Sequence, residues 1–174
     1  MKKILLALLV VSMLASASFA VPVGKYGFGM QGLTLTTGAI TMPTIQYYLD
    51  ENRAIEGGLA FGTISAAGAS VTNFTLMVAM KMGLASPSKA INTHWGGAIA
   101  YTSNPAFVNN TTNLLIAINL GAEVFLTPDF SIEGNVVPLA YNSLTAAGAA
   151  TNTISILNSA TGIPAASIGV HVYL

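Results

Sequence analysis

Lys25, Glu56, Lys81, His94, Glu123, Glu133 and His171 are the side chains with acid–base or metal chemistry to offer that fall outside the turns of this sequence. An imidazole beside a carboxylate is the raw material of proton transfer, and histidine with glutamate is a common metal donor set. Their spacing supports neither use. His94 stands in Asn92-Thr93-His94-Trp95 and His171 in Val170-His171-Val172, with no second donor close by on the same segment and no nucleophile motif. The expectation is therefore no catalytic residue, no metal and no cofactor. What these residues share is position: each interrupts a run of large apolar side chains on alternate residues. The chemistry this pattern favours is charge pairing inside a closed structure, an interior ion-pair network made of all seven.

The elements that must position them are strands. Phe74 to Leu84 (FTLMVAMKMGL) puts Phe74, Leu76, Val78, Met80, Met82 and Leu84 on one face. Lys81 falls on the other, among Thr75, Met77, Ala79 and Gly83. Similar alternation predicts eight strands at about 23–35, 40–50, 53–65, 70–85, 90–103, 112–126, 130–142 and 165–174. Parity sends Ile55, Leu59 and Phe61 to the apolar face and Glu56 to the other; Trp95, Ile99 and Tyr101 oppose Asn92 and His94. Leu114, Ile116, Ile118 and Leu120 oppose Asn119 and Glu123; Ile132 opposes Glu133 and Asn135; Ile168, Val170, Val172 and Leu174 oppose His171. Lys25 is expected inside, opposite Tyr26 and Phe28. Thr151 to Leu157 reads alternatively as an added strand, giving ten.

Composition fixes which face meets what. The chain is 53% hydrophobic and 7% charged, against about 25% charged in ordinary soluble domains. It has no cysteine, so neither disulfides nor thiolate metal sites are available. Residues 1–20 read as a cleaved signal peptide: Lys2 and Lys3, the apolar stretch Ile4 to Leu14, then Ser18-Phe19-Ala20 as the cleavage site. Residues 21–174 then form one domain, without a further apolar run long enough for a membrane helix. An apolar, exported chain without such a run has one spanning solution left, because unpaired backbone groups cannot face lipid: a closed antiparallel up-and-down β-barrel. Removing Lys2 and Lys3 from six basic residues leaves four against six acidic ones, a net −2. That balance is too small to attract a charged partner or nucleic acid.

Asp50-Glu51-Asn52, Ser86-Pro87-Ser88-Lys89 and Thr127-Pro128-Asp129 predict tight turns at one end. The stretches Ser65 to Ser70, Ser103 to Thr112 and Ser143 to Ala165 predict longer loops at the other. Aromatic residues gather near both ends: Tyr26, Tyr47, Tyr48, Trp95, Phe125, Phe130 and Tyr173 at the first, Phe74, Tyr101 and Tyr141 at the second. Of these, parity turns Tyr48, Phe125, Tyr141 and Tyr173 inward.

The final residues, Ser167-Ile168-Gly169-Val170-His171-Val172-Tyr173-Leu174, resemble the terminal assembly signal of outer-membrane barrels, carried here by Gly169, Val172 and Leu174. Leu174 departs from it, since that signal usually ends in an aromatic residue. The chain thus resembles the small eight-stranded barrels of the outer membrane protein A, opacity-protein and OmpW-like group. That resemblance implies insertion by the barrel-assembly machinery, a location in the bacterial outer membrane and outer-membrane lipids as the surroundings. The expected function is a structural or surface protein with its lumen filled by side chains. The rivals are a narrow channel or carrier for small, possibly hydrophobic solutes, as an OmpW-like barrel implies, and a secreted ligand-binding barrel. The last requires an apolar interior, the reverse of the charge placement. A monomer is expected, though nothing in the sequence fixes oligomeric state.

Overall fold

The computed structural model describes residues 21–35, 38–66, 69–84, 89–105, 110–156 and 166–174. The expected signal peptide lies outside them, as do residues 36–37, 67–68, 85–88, 106–109 and 157–165 within the expected turns and loops. The strands are β1 (Tyr26–Leu35), β2 (Gly38–Asp50), β3 (Arg53–Ala66), β4 (Ala69–Gly83), β5 (Ile91–Pro105), β6 (Asn110–Thr127), β7 (Phe130–Ala146), β8 (Ala149–Ile156) and β9 (Ala166–Tyr173). Each pairs antiparallel with its neighbours from β1 to β7, β7 pairs with β9, and β9 returns to β1. The sheet therefore closes on itself as an eight-stranded barrel.

Nine strands make eight staves because β8 and β9 share one. β8 lies along the part of β7 from Leu139 to Ala146, and β9 along the part from Phe130 to Val136. The expected long loop from Ser143 is thus in part a hairpin. β7 runs on to Ala146, and Ala147 and Gly148, both at positive φ (51° and 79°), make the turn. Positive φ at both central residues is the hairpin geometry that matches strand twist. Alanine is a weak signal for it, so the sequence hid this turn. The alternating Thr151 to Ile156 is indeed a strand, but it adds no stave.

The burial pattern reverses that of a soluble barrel. Glu56, Lys81, His94, Asn119, Glu123, Glu133, Asn135 and His171 are buried, while Phe28, Ile45, Leu76, Val78, Ile99, Ile116, Ile118 and Val170 stand exposed on the outer wall. Two departures from simple alternation have local causes. Val137 and Pro138 form a bulge: Leu120 pairs with Val136, but Ile118 pairs with Leu139. One extra residue flips every later side chain to the other face. Ala140 and Asn142 are consequently buried, and Tyr141, expected inward, is 36% exposed on the wall. Lys25 likewise is not in the lumen. It precedes the first residue of β1, after Gly24 at φ 77°, so strand alternation does not reach it. It forms an exposed 2.6 Å ion pair with Asp129 at the rim.

The rim holding Val21 and Leu174 is closed by short connections. Asp50 accepts the Asn52 backbone N–H at 2.8 Å and pairs with Arg53 at 2.6 Å, an Asx-type turn. The Tyr173 N–H donates to the Asp129 carbonyl at 2.9 Å, tying β9 to the β6–β7 turn. Aromatics mark both rims: exposed Tyr26 and half-buried Tyr47 lie 4.8 Å apart at the terminal end, and exposed Phe74 and Tyr101 5.8 Å apart towards the other.

Candidate functional site: the charged plug of the lumen

Six of the seven sequence-predicted residues converge from six strands on one point of the lumen. Lys81 of β4 is central: its Nζ lies 2.7 Å from Glu56 Oε2 on β3 and 2.6 Å from Glu133 Oε2 on β7. Its third donor goes to Gln46 Oε1 of β2 at 2.6 Å. An ammonium has three protons, and all three are engaged. The Lys81 side chain is 4% exposed and both glutamates 0%. His94 Nε2 lies 3.3 Å from Glu133 Oε1 and 2.8 Å from Asn135 Oδ1. His171 Nε2 lies 3.4 Å from Glu56 Oε1 and 3.2 Å from Thr44 Oγ1.

Glu123 is held differently. Instead of an ammonium it faces hydroxyl and amide donors: Tyr48 and Tyr173 donate their phenol hydroxyls, Ser131 its hydroxyl and Gln46 its Nε2 at 3.1 Å. The His171 Nδ1 stands back at 3.8 Å. A carboxylate ringed by donors is satisfied without a cation. Beneath it Tyr48, Phe125 and Tyr173 pack with centroids about 6 Å apart and fill the terminal end of the lumen.

Backbone shape makes this crowding feasible. Gly29 pairs directly with His171, and a Cβ there would strike the His171 ring and the Val170 carbonyl. Gly27 stands in the same relation to the Tyr173 ring. The large group on one strand occupies the space that the glycine opposite leaves.

Gln46, Thr44 and Ser131 were not among the predicted site residues. Their signal was available in part: Thr44, Gln46 and Tyr48 alternate along β2 and share the inward face. Gly169 of the assembly signal is buried inward, whereas Val172 and Leu174 are exposed.

Chemically the arrangement is occupied rather than open. Glu56, Glu133 and His171 offer donor atoms within 4.8 Å of one another, a spacing that suits a metal ion. The Lys81 ammonium, however, already bridges both carboxylates and takes the position a cation would need. Thr44 and Glu56 approach the same nitrogen of His171, so the imidazole cannot relay a proton from one to the other through its two nitrogens, as a triad requires.

Comparison with known proteins supports the fold. No protein-family model matches the sequence, and no curated protein matches it. Among solved structures, the N-terminal β-barrel domain of Pseudomonas aeruginosa OprF superposes with a TM-score of 0.54 at 10% identity, covering 87% of this chain and 98% of that domain. Ail, the attachment invasion locus protein of Yersinia pestis, matches at a TM-score of 0.32 and 8% identity over 86% of this chain and 91% of its own. The chain has the fold of the small eight-stranded outer-membrane β-barrels.

Proposed function

We propose that this protein is an integral outer-membrane barrel with a structural or surface role, its lumen sealed by side chains. The membrane reading is supported by the inverted wall: a lysine or arginine facing hydrocarbon at the midplane costs about 2–4 kcal/mol, and Lys81 instead lies inside among carboxylates. The rim of tight turns is then periplasmic and the other external. The sealed reading rests on one observation above all: Lys81, Glu56, Glu133, Glu123 and the ring of Tyr48, Phe125 and Tyr173 are together buried across the bore. An eight-stranded barrel has an interior that side chains can fill.

Planar-bilayer recording tests this. The purified, refolded chain is expected to insert without steady ion conductance. Reproducible conductance steps from the intact barrel would replace this reading with the channel alternative. Recovery of the protein from the periplasm without detergent would remove the membrane reading itself.

A further inference from the structure

The barrel wall is not uniformly stitched. β3 and β4 pair from Arg53–Met82 to Ala66–Ala69, and β5 and β6 from Ile91–Val124 to Pro105–Asn110. β2 and β3, by contrast, pair only from Asp50–Arg53 to Thr44–Gly58. Beyond that point no ladder pair joins Gly38–Pro43 to Leu59–Ala66 among the described residues. The pairing stops at Pro43, which has no N–H to give. Where it stops, the outer wall carries a cavity of about 490 Å³. Its mouth is formed by Ile45 and Pro43 on one side and Leu59, Leu76 and Val78 on the other, all exposed. Met77, whose side chain is buried on the luminal face, also lines it.

We propose that this seam binds the acyl chain of a lipid from the surrounding bilayer. The inference rests on the membrane placement argued above. The cavity is continuous with the lipid-facing wall, so hydrocarbon is the medium at its mouth, and its volume falls within the roughly 300–1,000 Å³ of ordinary ligand pockets. The unpaired edges beyond Pro43 and Leu59 add the second half of the recognition. Backbone N–H groups there need acceptors that a chain alone cannot supply, and the ester carbonyls of a bilayer lipid supply them. The chain therefore points down the groove towards Met77, with its polar linkage level with Gly38–Thr41. Further passage into the lumen is stopped by the inner packing. Met42 Sδ and Thr44 Cγ2 lie against Gly58, and beyond Met77 the luminal cavity holds only about 40 Å³.

The test is photolabelling in vesicles of phosphatidylethanolamine and phosphatidylglycerol that carry a diazirine on one acyl chain, with label sites mapped by mass spectrometry. The seam residues, Met77 included, should be labelled roughly tenfold more than Ile116, Ile118 and Leu120 on the far wall, as one or two additional buried methylene groups imply. Met77 is decisive because lipid merely coating the barrel does not reach an inward side chain. A Cβ at Gly57 would meet nothing nearer than the Met77 carbonyl at 4.0 Å. Gly57→Leu should therefore fill the groove and abolish the excess at Met77. Ile45→Trp, which covers the mouth, gives a second reading should Gly57→Leu not fold. Equal labelling of both walls, or an excess that survives both variants, overturns the lipid site and leaves the membrane reading standing. A seam left unlabelled while the far wall is labelled would mean that protein rather than lipid covers it, and would overturn it too. Label on neither wall would overturn the membrane placement together with the site.

Discussion

Tyr48, Phe125, Tyr173, Lys81 and three glutamates occupy the terminal half of the lumen, whereas Met42, Met77, Ala100, Leu115, Ala117 and Ala140 line the half beyond. Both halves narrow the bore, but by different means. In the terminal half, large polar and aromatic groups meet across the bore, each held by partners on other strands. In the far half, mostly small side chains narrow the bore with little polar contact across it. The first arrangement couples strands distant in sequence, since Lys81 alone touches groups on β2, β3 and β7. The second leaves each strand nearer to its own hairpin. Cooperativity of the barrel should accordingly reside in the terminal half.

Substitutions in the two halves should separate sharply in urea unfolding from lipid vesicles. Lys81→Met is expected to be the most damaging: it leaves Glu56 and Glu133 buried without their cation, a loss of about 3–5 kcal/mol. Glu123→Ala comes next. It strands four donors at once and should cost about 3 kcal/mol, also lowering the temperature at which the folded band is lost on a gel. A barrel unchanged by Glu123→Ala would show that the phenol ring seals the bore unaided. Gly29→Ala should cost about 1–3 kcal/mol by pushing the His171 ring and the neighbouring strand aside. In the far half, Ala100→Val should stay within about 1 kcal/mol, because it faces the small luminal cavity. Outside the lumen altogether, Lys25→Ala should cost less than about 1 kcal/mol, since that ion pair is 45% and 58% exposed. A Lys25 effect as large as that of Lys81 would erase the distinction between rim and plug.

Alternation carried most of this into the sequence. Phe74 to Leu84 announced β4, its outward face and the inward Lys81, because period two is the strand's own geometry. Alternation fails where the chain adds or omits a residue. The Val137-Pro138 bulge moved Tyr141 to the wall, and the turn before Tyr26 placed Lys25 outside. Pairing across the barrel was less legible still. Parity states that Glu123 points inward but not that phenols rather than Lys81 will meet it, since this depends on the register of β2, β6 and β9 together. The seam between β2 and β3 left only Pro43 as its trace.

The orientation of the wall can be tested directly with nitroxide labels placed one at a time along residues 114–120 of β6, the barrel being reconstituted in lipid vesicles and relaxed by oxygen or by a water-soluble nickel chelate. Labels at 114, 116, 118 and 120 should respond strongly to oxygen, which concentrates in hydrocarbon, and those at 115, 117 and 119 weakly to both reagents. A reversed phase, or chelate access at 116 and 118, would contradict a barrel whose greasy side chains meet lipid and whose charges lie within.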